Sequence, residues 1–119
     1  MGAGDVDADA FDEIVVAPGP GPANTARFQG FDYDGTAVLP LAGFDVTPFA
    51  TLYGGRVGDG DVTGDGRADL ICAAGTDPAA DATVKGFSYV GGTLVQAQSF
   101  MTFAGALYGA NPTGAPLGY

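Results

Sequence analysis

The chain has 119 residues, of which 46% are hydrophobic, so it can bury a core of its own and wholesale disorder is not expected. Its 4 basic and 14 acidic residues give a net charge of −10, which makes nucleic acid a poor partner because few cations are available to neutralise phosphates. It has no histidine, the usual general base and transition-metal ligand, and one cysteine, which cannot form an intrachain disulfide.

The first predicted element is an acidic turn near the N-terminus that runs directly into an apolar stretch. Oxygen-bearing side chains stand at positions 1, 3, 5 and 9 of the turn. Alternate positions of a tight turn can point to one centre, and a hard cation such as Ca²⁺ takes about six to eight oxygen ligands. The predicted ligands of this first loop are Asp5, Asp7, Asp9, the main-chain carbonyl of Phe11, and Glu13.

Short strands are predicted to follow the turn. Residues 14–17 form a β-branched apolar run, and residues 26–33 alternate roughly by two. Gly35 separates these from a strand over 38–44, and a strand over 51–57 closes the unit. No window shows a sustained helical period with caps, so the predicted fold class is all-β.

The same order of features recurs farther along the chain. The segment from Gly60 to Ile71 repeats the segment from Gly4 to Val15 at an offset of 61 − 5 = 56 residues. Strands are predicted over 70–73, 83–89, 94–100 and 107–110. The predicted ligands of this second loop are Asp61, Thr63, Asp65, the main-chain carbonyl of Arg67, and Asp69, with Gly66 at the bend.

The two loops are imperfect copies. Ala10 stands where the second loop has Gly66, which costs about 1 kcal/mol if that bend needs a positive φ. Thr63 supplies a neutral ligand where the first loop has an acid. We therefore expect two unequal Ca²⁺ sites, with the first one tightened by Ala10→Gly. A surface Asp-Gly turn without a metal is the alternative for each copy alone.

The segment Gly-Asp-Val-Thr-Gly-Asp-Gly-Arg-Ala-Asp-Leu-Ile, residues 60–71, resembles the FG-GAP/VCBS repeat of integrin-α-type β-propellers. The resemblance covers residues 4–110 and implies two four-stranded blades of a propeller with about six to eight blades. It also implies Ca²⁺ in the acidic turns and an extracellular or cell-surface setting. The implied units are a first repeat over 4–59, a second over 60–110, and a tail over 111–119.

Two blades alone do not close a ring. The first unit lacks a strand before its turn, so we expect the strand over 107–110 to complete the first blade of the next copy in a homo-oligomer, or the chain to sit among further blades of a parent protein. Recurrent aromatics, such as Phe44 with Phe100 and Tyr33 with Tyr89, are interpreted as packing between blades. Their alternative role is a platform for a glycan.

The predicted function is that of a calcium-binding structural or adhesion module, with a lectin-like carbohydrate-binding propeller as the alternative. Catalysis is not expected, because the acids are assigned to the metal turns and no nucleophile motif is present; the Asp5-Val6-Asp7 signature is too short to indicate a glycosyltransferase. Cys72 lies in an apolar run and is expected to be buried and unreactive. No apolar run is long enough to insert into a membrane, and the N-terminus does not have the pattern of a signal peptide.

Overall fold

A computed structural model describes residues 2–113, and this part of the chain is all-β with no helix. Eight strands form two four-stranded antiparallel sheets, in the orders β1-β2-β3-β4 and β5-β6-β7-β8. The strands of sheet 1 are β1 (Gly2–Gly4), β2 (Glu13–Val16), β3 (Ala26–Tyr33) and β4 (Val38–Phe49). The strands of sheet 2 are β5 (Gly55–Gly60), β6 (Asp69–Ala74), β7 (Thr83–Val90) and β8 (Thr93–Met101).

Each sheet is a simple meander because strands that are consecutive in the sequence are neighbours in the sheet. Between β7 and β8, Gly91 and Gly92 have φ of 59° and 80°, which is the requirement of a two-residue hairpin turn. Between β3 and β4, the Asp34 carboxylate accepts hydrogen bonds at 2.9 Å from the N–H groups of Thr36 and Ala37. An aspartate that bonds to its own backbone in this way sets the turn without a glycine pair.

The sequence repeat is also a repeat of structure. Gly4 pairs with Glu13 in sheet 1, and Gly60 pairs with Asp69 in sheet 2, so each acidic loop joins the first two strands of its sheet. The sheets themselves divide between Phe49 and Gly55, whereas the repeat was divided between residues 59 and 60. The two divisions differ by one strand. The strand before each loop is the first strand of the sheet that contains the loop, whereas the sequence division assigned residues 55–59 to the preceding repeat.

Three strand predictions are corrected. Residues 107–110 form no strand and make only an isolated bridge, between Leu107 and Asp81. Within the segment 51–57, the strand begins only at Gly55 and belongs to sheet 2. The reason is shared: Tyr53 and Tyr108 both have left-handed φ, of 65° and 69°, so each turns the chain where an apolar run had predicted extension.

The third correction concerns the N-terminus. The strand before the first loop is present as β1, although it is shorter than its counterpart β5. Of the predicted tail over 111–119, only residues 111–113 are described, and residues 114–119 lie outside the described range.

The main core lies between the two sheets. The pleat of β3 turns Ala26 and Phe28 inward, where they are fully buried, while Arg27 between them is exposed. These residues pack with Phe44 and with Leu70 and Cys72 of sheet 2. Contacts between β1 and β5 and between β4 and β8 show that the two sheets pack against each other with their corresponding strands adjacent.

The outward faces of the two sheets differ. On sheet 1, the Arg27 guanidinium pairs with the half-exposed carboxylate of Asp45, at 2.8 Å between Nε and Oδ1. On sheet 2, Ile71, Ala73 and Val84 form a small buried cluster against Ala110 of the C-terminal segment. None of the described residues forms a helix long and apolar enough to cross a membrane.

Candidate metal centre

The first loop is organised by the side chain of Asp5. Its Oδ1 accepts a hydrogen bond from the Ala8 N–H at 2.6 Å, and its Oδ2 accepts one from the Ala10 N–H at 3.1 Å. To present these N–H groups, Ala8 and Ala10 take φ of 68° and 75°. A left-handed conformation costs a residue with a Cβ roughly 1–2 kcal/mol. The loop therefore holds two strained alanines, of which the sequence predicted the one at Ala10.

Four carboxyl groups converge in this loop. One side-chain oxygen from each of Asp5, Asp7, Asp9 and Glu13 lies within 4.8 Å of all the others. Oxygens that surround one Ca²⁺ at about 2.3–2.6 Å are separated by no more than about 5 Å, so this spread fits a shared ion. Within residues 2–113, no other set of three or more acidic or cysteine side chains converges in this way.

Glu13 is the acid of the first loop whose burial is most complete. The residue is 0% exposed; its Oε2 accepts a 2.6 Å hydrogen bond from the Val6 N–H, and its buried Oε1 has no hydrogen-bond partner among the described residues. Burial raises the pKa of Glu13 from its ordinary 4.5 to about 7, and the charges of Asp7, Asp9 and Asp5 act in the same direction against the Val6 hydrogen bond. A buried carboxylate with a free oxygen needs a proton or a cation.

The pKa of Asp7 is raised as well, mainly by burial and then by the charge of Asp9. Phe11, whose carbonyl is a predicted ligand, donates its N–H to Asp9 Oδ1 at 2.8 Å and sets its ring edge-to-face against Tyr33. The structure therefore gathers all four predicted side-chain ligands of the first loop, and the carbonyl of Phe11 remains a prediction.

The second loop follows the same backbone path. Asp61 accepts hydrogen bonds from the N–H groups of Gly64 at 2.6 Å and Gly66 at 2.8 Å, in the positions that Ala8 and Ala10 occupy in the first loop. The two glycines have φ of 78° and 84°, which they adopt without strain. These N–H groups, with that of Gly66 foremost, lower the pKa of Asp61.

The carboxylate that closes the second loop is already satisfied. Asp69 is 2% exposed, and its Oδ2 accepts from the N–H groups of Val62 at 2.8 Å and Thr63 at 2.9 Å and from the Thr63 hydroxyl at 3.1 Å. Its Oδ1 accepts from the hydroxyl of Ser88 at 2.5 Å. Two predicted ligands, Thr63 and Asp69, are thus bonded to each other.

The second loop also contains a positively charged side chain, that of Arg67. Arg67 Nε lies 3.5 Å from Asp65 Oδ2, so the guanidinium partly offsets the charge that a metal would neutralise. The structure places all the predicted residues of this loop in one turn. It does not bring Asp61, Asp65 and Asp69 together as it does the acids of the first loop.

Two residues near the first loop were missed by the sequence interpretation. Asp32 follows Phe31 on β3, and continuing the register one residue beyond the Ile14–Phe31 pair brings it across from Glu13. Tyr89 comes from sheet 2; its hydroxyl donates to the Ala42 carbonyl, and burial together with the charges of Asp7 and Glu13 raises its pKa. The sequence signal for Asp32 was its alignment with Ser88, the one difference between Gly-Phe-Asp-Tyr and Gly-Phe-Ser-Tyr.

The centre lies at the junction of the two sheets. The Asp5 carbonyl accepts a 2.8 Å hydrogen bond from the N–H of Ala68, which ends the second loop. Val6 of the first loop is buried in the inter-sheet core, whereas its counterpart Val62 is 37% exposed. The neighbouring sheet thus covers the Val6 side of the first loop, while residues 8–12 remain exposed.

Comparisons of the chain with protein-family models, with curated proteins and with solved structures find no match. The assignment of function therefore depends on the geometry of the chain itself.

Proposed function

We propose that the chain is a calcium-binding repeat module whose first loop holds a Ca²⁺ ion with a structural role. The observation that carries the proposal is the fully buried Glu13, whose Oε1 lacks a partner while three other carboxyl groups converge beside it. A cation at this point would give Glu13 the interaction that it lacks and relieve the repulsion among the four acids. Two unit charges about 4 Å apart repel by about 4 kcal/mol at an effective dielectric of 20.

The donor set favours Ca²⁺ over other metals. All four side chains offer carboxylate oxygens, which suit hard cations, and the chain has no histidine to attract zinc or copper. Mg²⁺ requires a smaller and more regular shell and retains its waters, whereas Ca²⁺ accepts the irregular arrangement of a loop. The residues that would hold the ion are Asp5, Asp7, Asp9 and Glu13, together with the carbonyl of Phe11.

The proposed role is to fasten the first loop at the junction of the sheets. The loop contributes Val6 to the inter-sheet core and the Asp5 carbonyl to a hydrogen bond with the second loop. Repulsion among its acids would push this segment outward, so neutralising them strengthens the contact between sheets. This supports an interaction or adhesion module, in which Ca²⁺ stiffens a framework and recognition lies elsewhere.

We also propose that the two sheets are FG-GAP/VCBS-type propeller blades. The support is the matching four-stranded meander at a 56-residue spacing and the acidic loop between the first two strands of each. An extracellular or cell-surface setting accords with this proposal, since extracellular calcium modules bind with dissociation constants of about 10⁻⁴–10⁻³ M. The proposed module is a binding protein and not an enzyme.

Assembly of further copies into a ring remains a prediction. Ring closure would stack the outward face of sheet 1 on that of sheet 2. The first carries the Arg27–Asp45 ion pair, and the second is partly covered by Ala110. Charged outer faces are typical of the terminal units of repeat proteins. The carbohydrate-binding alternative has less support, because Phe44 and Tyr89 pack on each other at 5.7 Å between ring centroids.

The direct test is calorimetric titration of chelator-treated protein with CaCl₂, comparing the natural chain with Glu13→Gln. The amide retains an acceptor for the Val6 N–H but removes the charge, so Ca²⁺ affinity should fall at least about tenfold. Asp65→Asn is the matched control, since it removes one charge from the second loop and should leave the affinity within twofold. A natural chain that binds no Ca²⁺ at millimolar concentration would refute the proposal.

A further inference from the structure

We propose that Asp32 is an additional ligand of the first-loop cation, so that the ion joins strand β3 to the β1–β2 loop. The inference rests on the proposed function and goes beyond it, because Asp32 lies outside the loop and outside the nine-residue pattern that predicted the other ligands. It makes the first site a five-carboxylate centre that spans three strands.

The register of sheet 1 places Asp32 at the required position. Ile14 pairs with Phe31 in the antiparallel ladder, and continuing this register by one residue brings Asp32 across from Glu13. Side chains that face each other across a ladder have Cβ atoms about 4.5–5.5 Å apart. Asp32 also lies near enough to Asp7 that its negative charge helps to raise the pKa of that carboxyl group.

The free atoms of this pair are suited to a shared cation. Glu13 Oε1 and Asp32 Oδ1 are both buried, and neither has a hydrogen-bond partner among the described residues. Two facing carboxyl groups with an unbonded oxygen each are costly to bury unless a positive charge lies between them. Apart from these two, the only buried side-chain oxygen without a partner within residues 2–113 is Thr51 Oγ1.

Sheet 2 supplies the matched comparison. At the positions of Glu13 and Asp32 it has Asp69 and Ser88, whose side chains bond to each other at 2.5 Å between Oγ and Oδ1. A side chain at this place on the third strand therefore reaches the carboxylate on the second strand. With serine, the contact is a hydrogen bond that needs no ion. With aspartate, the same contact opposes two negative charges.

The number of carboxylates in the proposed site predicts a preference for trivalent over divalent cations. A purely structural role of Asp32 would not produce this preference. Five carboxylates leave a net charge of −3 around Ca²⁺ and −2 around a trivalent ion. We therefore expect Tb³⁺ to bind more tightly than Ca²⁺, and we expect the preference to decrease when Asp32 is neutralised. Tyr33, whose ring centroid lies 6.2 Å from that of Phe11 in the first loop, is the expected sensitiser of Tb³⁺ luminescence.

The experiment measures Ca²⁺ affinity by calorimetry, and Tb³⁺ affinity by tyrosine-sensitised luminescence, for the natural chain, Asp32→Asn, Asp32→Ser and Glu13→Gln. Asp34→Asn serves as a control, because Asp34 accepts hydrogen bonds in the exposed turn two residues away. We expect both Asp32 variants to lose about ten- to hundredfold in Ca²⁺ affinity. We also expect the preference for Tb³⁺ to fall, while the melting temperature without metal rises because an unpaired buried charge is gone.

The outcomes separate this inference from the function on which it rests. If Glu13→Gln abolishes binding while both Asp32 variants stay within twofold of the natural chain, Asp32 is not a ligand and the proposed function stands. If the natural chain binds neither ion, both proposals fail. If an Asp32 variant does not fold, the reciprocal Ser88→Asp variant decides the matter, because a ligand at this place should raise binding from one Ca²⁺ per chain to two. Unchanged stoichiometry would overturn the inference.

Discussion

The two acidic loops follow the same backbone path and satisfy their buried carboxylates by opposite means. Asp5 and Asp61 each accept the N–H groups of the residues three and five positions later. The difference lies at the closing acid, since Asp69 accepts bonds from both Thr63 and Ser88, while Glu13 accepts only one and faces Asp32. A motif can thus retain its shape while the hydrogen bonding of its closing acid changes.

The neighbourhood of each loop accounts for the divergence. In the first loop Val6 is 2% exposed and Glu13 is fully buried, whereas residues 8–12 are exposed. In the second loop Val62 is 37% exposed, and the buried Asp69 is satisfied by hydrogen bonds. What distinguishes the first loop is therefore the unpartnered oxygen of its buried closing acid, Glu13.

The largest expected effect comes from removing the charge of each closing acid in turn. Without Ca²⁺ at pH 8, Asp69→Asn should lower the free energy of unfolding by about 3 kcal/mol, because the amide nitrogen cannot accept the bonds that the carboxylate receives. Glu13→Gln should act in the opposite direction under the same conditions, since it removes a buried charge with a free oxygen. Urea denaturation measures both, and equal destabilisation by the two variants would contradict the contrast between the loops.

A second prediction concerns pH. The folded-state pKa of Glu13, about 7, lies above its ordinary 4.5, so the folded chain holds a proton that the unfolded chain releases between these values. Without Ca²⁺, the free energy of unfolding should therefore fall by about 3 kcal/mol as pH rises from about 4.5 to about 7. Saturating Ca²⁺ should flatten this decline, because the ion replaces the proton.

The natural control for the pH prediction is Glu13→Gln, in which the decline should be much reduced at every Ca²⁺ concentration. Thermal unfolding followed by circular dichroism across the pH range gives the comparison. A metal-free chain whose stability rises between pH 4.5 and 7 would show that Glu13 is not held in the protonated form.

The smallest expected effect is at the bend. Ala10 already has a φ of 75° in the folded chain, so Ala10→Gly should raise the free energy of unfolding by about 1 kcal/mol. Gly66→Ala in the second loop should lower it by a similar amount. Because the strain is present without a cation, the gain should appear mainly in stability and less in Ca²⁺ affinity. Chemical denaturation measures the free energy of unfolding of both variants. Changes that are not similar in size and opposite in sign would contradict the prediction.

Much of this arrangement could be predicted from the sequence. The 56-residue spacing identified two copies of one four-stranded unit, and the alignment of Ala10 with Gly66 indicated a left-handed bend that the structure confirms. The burial of Cys72 was also predicted; the side chain is 0% exposed, and burial raises the pKa of its thiol to about 12. Each of these features is local in sequence, where turn chemistry and the polarity pattern are sufficient.

The remaining features depend on contacts between distant residues. The proposed place of Asp32 at the centre follows from the strand register, which no short motif encodes. The hydrogen bonds that satisfy Asp69 need Ser88 on another strand. The strand predicted over 107–110 failed because Tyr108 is apolar enough to suggest extension but adopts a left-handed turn. β1 was missed because Gly-Ala-Gly has little strand propensity, and it forms by pairing with β2.

The most direct test of the account is the number of calcium ions that one chain binds. Native mass spectrometry of the chelator-treated protein, titrated with Ca²⁺ and compared with Glu13→Gln and Asp69→Asn, counts them. The account predicts one ion per chain, lost in Glu13→Gln and retained in Asp69→Asn. Two equivalent ions, or one that survives Glu13→Gln and disappears in Asp69→Asn, would contradict it.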